Sequence, residues 1–160
     1  MSENIYIGYI IVAILDLIVG FIIGMIVQSK KFSHDLQLDK IRRLTPHMEK
    51  IHPICETLIT NIEHAIALLD SSDQEEFNRY LERTQNGLYD YGVWFESLSS
   101  EGLKPELQSL DYNLYASLYG IFVYYKMAKN EGRLFLQQQM KTVTKDLKRT
   151  QRYLENFLKQ

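Results

Sequence analysis

The apolar residues of the chain follow two regimes. Between residues 5 and 27 they run almost unbroken, IYIGYIIVAILDLIVGFIIGMIV, with a single charge at Asp16. As a helix rising about 1.5 Å per residue, this run covers about 34 Å, enough for a hydrocarbon core of about 30 Å. Tyr6 and Tyr9 stand at one end, where amphipathic rings favour the headgroup layer. The run is longer than the apolar stretch of a secretory signal. No Lys or Arg precedes it and no small-residue cleavage pattern follows. An uncleaved, single-pass transmembrane helix is therefore expected.

Beyond residue 45 the apolar residues recur with spacings of three and four. Met48, Ile51, Cys55, Leu58, Ile62, Ala65 and Leu69 form the first seam. Phe77, Leu81, Leu88, Tyr91, Phe95 and Leu98 form the second, with Thr84 in register. The third is Leu107, Leu110, Leu114, Leu118, Ile121, Tyr125 and Ala128. The fourth is Leu136, Met140, Val143, Leu147, Leu154 and Phe157, with Thr150 in register. This is the a/d pattern of packed helices, as in a coiled coil. Thr45-Pro46 reads as a helix start, Ser72 with Glu75 as a capping box, and Gly102 with Pro105 and Asn130-Glu131-Gly132 as breaks. Pro53 is expected to kink the first helix.

The predicted fold is all-α, with one N-terminal transmembrane helix followed by a cytoplasmic up-down-up-down four-helix bundle. The bundle covers 46–160, with helices 46–69, 73–99, 105–129 and 133–159. Residues 1–4 form a short extracytoplasmic end. Residues 28–45 form a basic juxtamembrane helix with apolar Phe32, Leu36, Ile41 and Leu44. A 14-residue uncharged stretch between Asp111 and Lys126 is too short to cross a bilayer and reads as a buried helix.

Charge sets the orientation. Lys30, Lys31, Lys40, Arg42 and Arg43 follow the apolar run, and basic flanks stay cytoplasmic. The N-terminus is expected outside the cell (inner) membrane and the C-terminal domain in the cytoplasm. One cysteine excludes an internal disulfide framework and a multi-Cys zinc site, and it suits a reducing compartment. A net charge of −2 argues against a coat for nucleic acid. The charge is uneven, however. Residues 49–111 carry 13 acidic against 4 basic residues, and residues 126–160 carry 9 basic against 3 acidic.

Three sets of residues are candidates for function. In the apolar run, Ala13, Asp16, Gly20 and Gly24 share one helix face. A mid-bilayer carboxyl group costs about 2.5–3.5 kcal/mol unless neutral or partnered, and Gly-x-x-x-Gly admits a close helix. This face points to membrane assembly, as a homo-oligomer or with another membrane subunit, or to ion or proton handling. In the third helix, Tyr112, Tyr115 and Tyr119 lie within about 60° of one another, with Phe122 beside them, opposite the Leu/Ile seam. They read either as a docking surface for a cytoplasmic protein partner or as core. Lys30 and Lys31 near the run, and Lys141, Lys145, Lys148 and Arg152 on the last helix, are suited to contact an anionic surface.

Glu49-x-x-His52 is one arm of a di-metal bundle motif without its second arm, so no metal is assigned. Cys55 sits on the first seam and reads as a small buried hydrophobe. There is no Gly-rich phosphate loop, HExxH or Gly-x-Ser-x-Gly, so neither enzyme chemistry nor a cofactor is expected. The expected partners are the lipid bilayer and other proteins.

Overall fold

The computed structural model describes the backbone of residues 3–160 and the side chains of residues 17–160. The described residues form five helices and no strand. In order they are α1 (Glu3–Ala67), α2 (Gln74–Ser100), α3 (Leu103–Leu110), α4 (Tyr112–Glu131) and α5 (Arg133–Leu158). The chain divides into two compact units, Met1–Asp39 and Lys40–Gln160.

The second unit is a helical bundle built on the four seams. Every seam position is buried except Leu69 and Leu110. Leu69 is exposed because α1 ends at Ala67, two residues before the expected end, and leaves it in a turn. The core also takes Leu44, Ile59, Trp94, Leu103 and Phe135.

The helix boundaries differ from expectation in three further respects. Thr45-Pro46 does not start a helix, because α1 runs through both Pro46 and Pro53. Thr45 turns its hydroxyl back onto the Ile41 carbonyl at 2.8 Å instead of capping. Leu44, Met48 and Ile51, on both sides of Pro46, are fully buried. Their packing outweighs the cost of about 3 kcal/mol for an interior proline.

The expected capping box is replaced by a single cap one residue further on, and the Asp73 N–H donates to the Ser71 hydroxyl at 3.0 Å. Asp73, not Ser72, caps α2, and its carboxylate accepts from the Glu76 N–H at 3.0 Å. Asp is as good a cap as Ser and adds a negative charge at the helix N-terminus. The expected helix 105–129 is two helices. Asp111 is extended, at φ −143° and ψ 92°, and its carboxylate caps α4 by accepting from the Leu114 N–H at 2.9 Å. Gly102 and Gly132, both at φ +70°, make the breaks on either side of this pair. That backbone conformation is unstrained only for glycine.

Specific contacts tie the helices of this unit together. The Trp94 indole N–H donates to the His47 carbonyl at 3.2 Å, and His64 stacks on Tyr80 at 4.8 Å, joining α1 to α2. The buried Tyr91 hydroxyl donates to the Leu118 carbonyl of α4 at 2.8 Å. Ser117 and Thr150 meet at 2.7 Å in the core between α4 and α5. The single proton of Thr150 goes to the Asp146 carbonyl, so Ser117 is the donor in that pair. The Tyr124 hydroxyl donates to Asp146 at 2.7 Å. Lys148 pairs with Glu63, and Gln151 donates to Glu56 at 3.3 Å, closing α5 onto α1. Arg43 to Glu106 at 2.9 Å and Lys40 to Ser109 at 3.2 Å hold α3 against α1.

Gly92 of α2 lies directly against the Tyr125 ring of α4. A Cβ there would stand 2.4 Å from two carbons of the buried Tyr125 ring and 2.7 Å from its Cγ. Alanine in a helix interior normally gains about 1 kcal/mol over glycine. Here the ring cannot swing clear, because the clash reaches its root, and overpacking costs about 1–3 kcal/mol. Gly92→Ala is expected to lower stability, and Gly92→Ala with Tyr125→Leu to recover most of the loss. At Gly87 the nearest atom is the flexible Leu58 Cδ2 at 2.8 Å, so Gly87→Ala is expected to be close to neutral. Denaturant titration of the four chains in mild detergent checks this ordering.

Candidate interaction surfaces

In the first unit, Leu17, Ile18, Val19, Phe21, Ile22, Ile23, Met25, Ile26 and Val27 are all exposed, at 46–76 %. They point to every side of α1, so this stretch has no apolar face hidden and no polar face shown. Gly20 and Gly24 lie on it with open space where a Cβ would stand. Ala13 and Asp16 fall within α1, but their side chains lie outside the described residues. Among the described residues no helix is long and apolar enough to cross a membrane. Within the 5–27 run the side chains described are those of its last eleven residues. Lys30 and Lys31 are exposed beyond it.

In the second unit, α4 carries the tyrosines. Its buried seam of Leu114, Leu118, Ile121 and Tyr125 fixes how the helix is turned. Tyr112 and Tyr119 then face outward, at 63 % and 49 % exposure. Tyr115 and Phe122 turn inward and pack on the core. The fully buried Phe95 ring of α2 lies beneath them, 4.7 Å from Phe122 in a stack and 6.4 Å from Tyr115. The four residues are thus neighbours with divided roles, two forming a floor and two a surface. The outward face continues through Ala116, Val123 and Met127, all exposed. These three share the helical phase of Tyr112 and Tyr119, a signal already present in the sequence but masked by the tyrosines.

Cations rim this patch. Lys104 of α3 lies 4.1 Å from the centre of the Phe95 ring, and Lys126 lies 5.0 Å from that of Phe122. Lys126 also bonds Glu96 at 2.7 Å. That bond from Lys126 holds the Glu96 carboxyl below its ordinary range, and the Lys126 ammonium is raised in turn. Partial burial lowers the Lys104 ammonium. The negative face of an aromatic ring attracts such a cation.

On α5 the buried seam turns Lys141, Lys145, Lys148 and Arg152 to the surface, all exposed, as expected from their spacing. Arg149 joins them along one shallow groove with Thr144. Lys148 is taken by Glu63. Lys30 and Lys31 belong to the other compact unit.

Among the described residues no group of three or more His, Cys, Asp or Glu side chains is placed to hold a metal ion. His52 lies 3.9 Å from Glu56 on its own helix, and Cys55 is buried. No protein-family model, curated protein or solved structure matches the chain.

Proposed function

We propose that the chain is a membrane-tethered, non-enzymatic interaction module. A single helix over 5–27 crosses the cell (inner) membrane with the N-terminus outside. An up-down-up-down four-helix bundle in the cytoplasm recruits, regulates or assembles with a membrane or cytoplasmic partner. The observation that carries this reading is the exposure of every large apolar side chain between residues 17 and 27. Nine such side chains in water would cost far more than one helix can recover, and a hydrocarbon solvent removes that cost. Five basic residues at 30–43 support the orientation.

The bundle order is supported by the contacts named above. His47 with Trp94 and His64 with Tyr80 run in opposite senses, as do Ser117 with Thr150 and Tyr124 with Asp146. The outward stripe of Tyr112, Tyr119, Val123 and Met127 is the docking surface in this reading. Tyr offers area with a polar tip there. The α5 cations suit an anionic surface.

A second reading makes the chain a subunit of an ion- or proton-conducting assembly. It rests on Asp16 at the centre of the apolar run, on the same helix face as Ala13, Gly20 and Gly24. One set of experiments tests both readings. The chain should stay in membranes through carbonate extraction, and a reporter after Gln160 should read as cytoplasmic. Mild-detergent capture should bring down a defined partner. Asp16→Asn keeps hydrogen bonding and should preserve that complex, whereas Asp16→Leu should weaken it. An assembly intact in Asp16→Asn but without conductance would decide for the second reading. A chain extracted by carbonate would end both.

A further inference from the structure

We propose that the α1 face formed by Ile18, Ile22, Met25, Ser29, Phe32 and Leu36 is where a second copy of this chain packs, parallel and in register. These residues are spaced 4, 3, 4, 3 and 4 apart, the 3.5-residue period of a coiled-coil seam. The seam leaves the apolar run and continues into QSKKFSHDLQLD, where lipid gives no reason for it. Phe32 is nevertheless 71 % exposed and Leu36 48 %. Along one edge of this face a shallow groove is lined by Ile22, Met25, Ile26, Ser29 and Lys30. Beyond Leu36 the exposed seam stops, and Leu44 and Met48 are buried in the core of their own unit.

Charge decides for a second copy as the occupant. Lys30, Lys31, His34 and Asp35 all lie at least about 100° away from the centre of the seam, so over residues 18–36 two such faces meet without burying a charge, and Asp39, the next position of the period, marks where the seam ends. In a parallel pair the flanking positions five residues apart face each other across the seam. They are Asp35 of one copy and Lys40 of the other, an attractive pair on both sides of the axis. Lys40 spends one N–H on Ser109 and keeps two. Two copies anchored by the same run have the same direction and depth, which sets the parallel register. That last step rests on the membrane reading proposed above. Gly20 and Gly24 lie on the opposite side of the helix, so the Asp16 face stays free for a different subunit.

Disulfide scanning of the full chain in its native membrane tests this. Single cysteines replace Gly24, Met25, Val27, Ser29, Lys31, Phe32 and Leu36, with the wild-type chain as control for buried Cys55. Oxidation should give dimers from Met25→Cys, Ser29→Cys, Phe32→Cys and Leu36→Cys. Their yield should exceed that of Gly24→Cys, Val27→Cys and Lys31→Cys by about fivefold or more, because only short Cβ separations can be bridged. The opposite pattern would put the second copy on the glycine face and overturn the proposal. A flat pattern or no dimer would also overturn it. Phe32→Glu with Leu36→Glu should shift the native mass from dimer to monomer at unchanged helicity, and an unshifted dimer would count against the seam. Carbonate extraction of each variant is read separately. A periodic cross-link in a chain that washes off would remove the membrane reading and keep the seam.

Discussion

Phe95→Ala should cost about 3–5 kcal/mol, the largest loss expected from any single truncation in the bundle. The ring is fully buried and touches three helices. It lies 6.1 Å from Trp94 in its own helix, and 4.7, 6.1 and 6.4 Å from Phe122, Tyr119 and Tyr115 in α4. Lys104 of α3 stands 4.1 Å above it. Removing it leaves a cavity that α4 cannot fill without lifting its seam, so the tyrosine surface loses its floor along with the core. Phe95→Leu keeps most of the volume and should cost less than about 1.5 kcal/mol. Denaturant titration in mild detergent separates the two. A loss under about 1.5 kcal/mol for Phe95→Ala would show that the aromatic cluster is not part of the stabilising core.

Raising the pH above 9 should produce a second large loss. Burial, then the neighbouring Glu56 carboxylate, pushes the Cys55 thiol from 9.0 up to about 12. Burial, then Cys55, pushes Tyr91 well above 10.0. Both groups are neutral in the folded chain and ionise once it unfolds. A raised folded pKa gives stability that is whole below the unfolded value and is lost as pH climbs toward the folded one. Each such proton is worth about 1.4 kcal/mol per pH unit. Cys55 therefore removes about 2–3 kcal/mol between pH 9 and 11, and Tyr91 adds to the slope above 10. Tyr124, raised to about 12 by partial burial and its bond to Asp146, acts in the same direction but is discounted for its contact with water. In Cys55→Ala the part of the slope that starts near pH 9 should vanish and the part that starts near 10 remain. Denaturation midpoints at half-unit steps from pH 7 to 11 read this directly. An unchanged curve in Cys55→Ala would take Cys55 out of the alkaline loss and leave it to the tyrosines and the surface lysine pairs.

The seams could be read from sequence because a period of 3.6 is imposed by burial alone. Cys55, Thr84 and Thr150 fitted it whatever their chemistry, and all three are in the core. The break at Asp111 was hidden because Leu110 and Leu114 keep the same period across it. A one-residue cap changes the path of the chain without disturbing the spacing. Thr45-Pro46 misled for the converse reason. A local start signal carries about 1 kcal/mol, less than the packing of Leu44 and Met48 around it. The tyrosine face was half legible. Four aromatic residues in one sector are visible in the sequence, but the rotation that sends Tyr115 and Phe122 inward depends on Phe95, which lies on another helix. Arg149 was missed on α5 because its phase departs by about 60° from the stripe of lysines, within the swing of a long side chain.

Gly132 joins α4 to α5 with a single left-handed residue, whereas α1 meets α5 through partners such as Glu63 and Lys148, far apart in sequence. Bringing together ends that far apart costs about 1 kcal/mol more in chain entropy than closing Ser117 onto Thr150. The α4–α5 hairpin is therefore the natural nucleus, and the closure of α1 onto α5 is the late event. Until that closure, the buried seam of α1 around Glu63, with Ile62 and Ala65, is not yet covered. An unfinished chain then carries an open apolar strip in addition to the exposed run of residues 17–27, and the aggregation risk of this protein is concentrated in that interval of its folding.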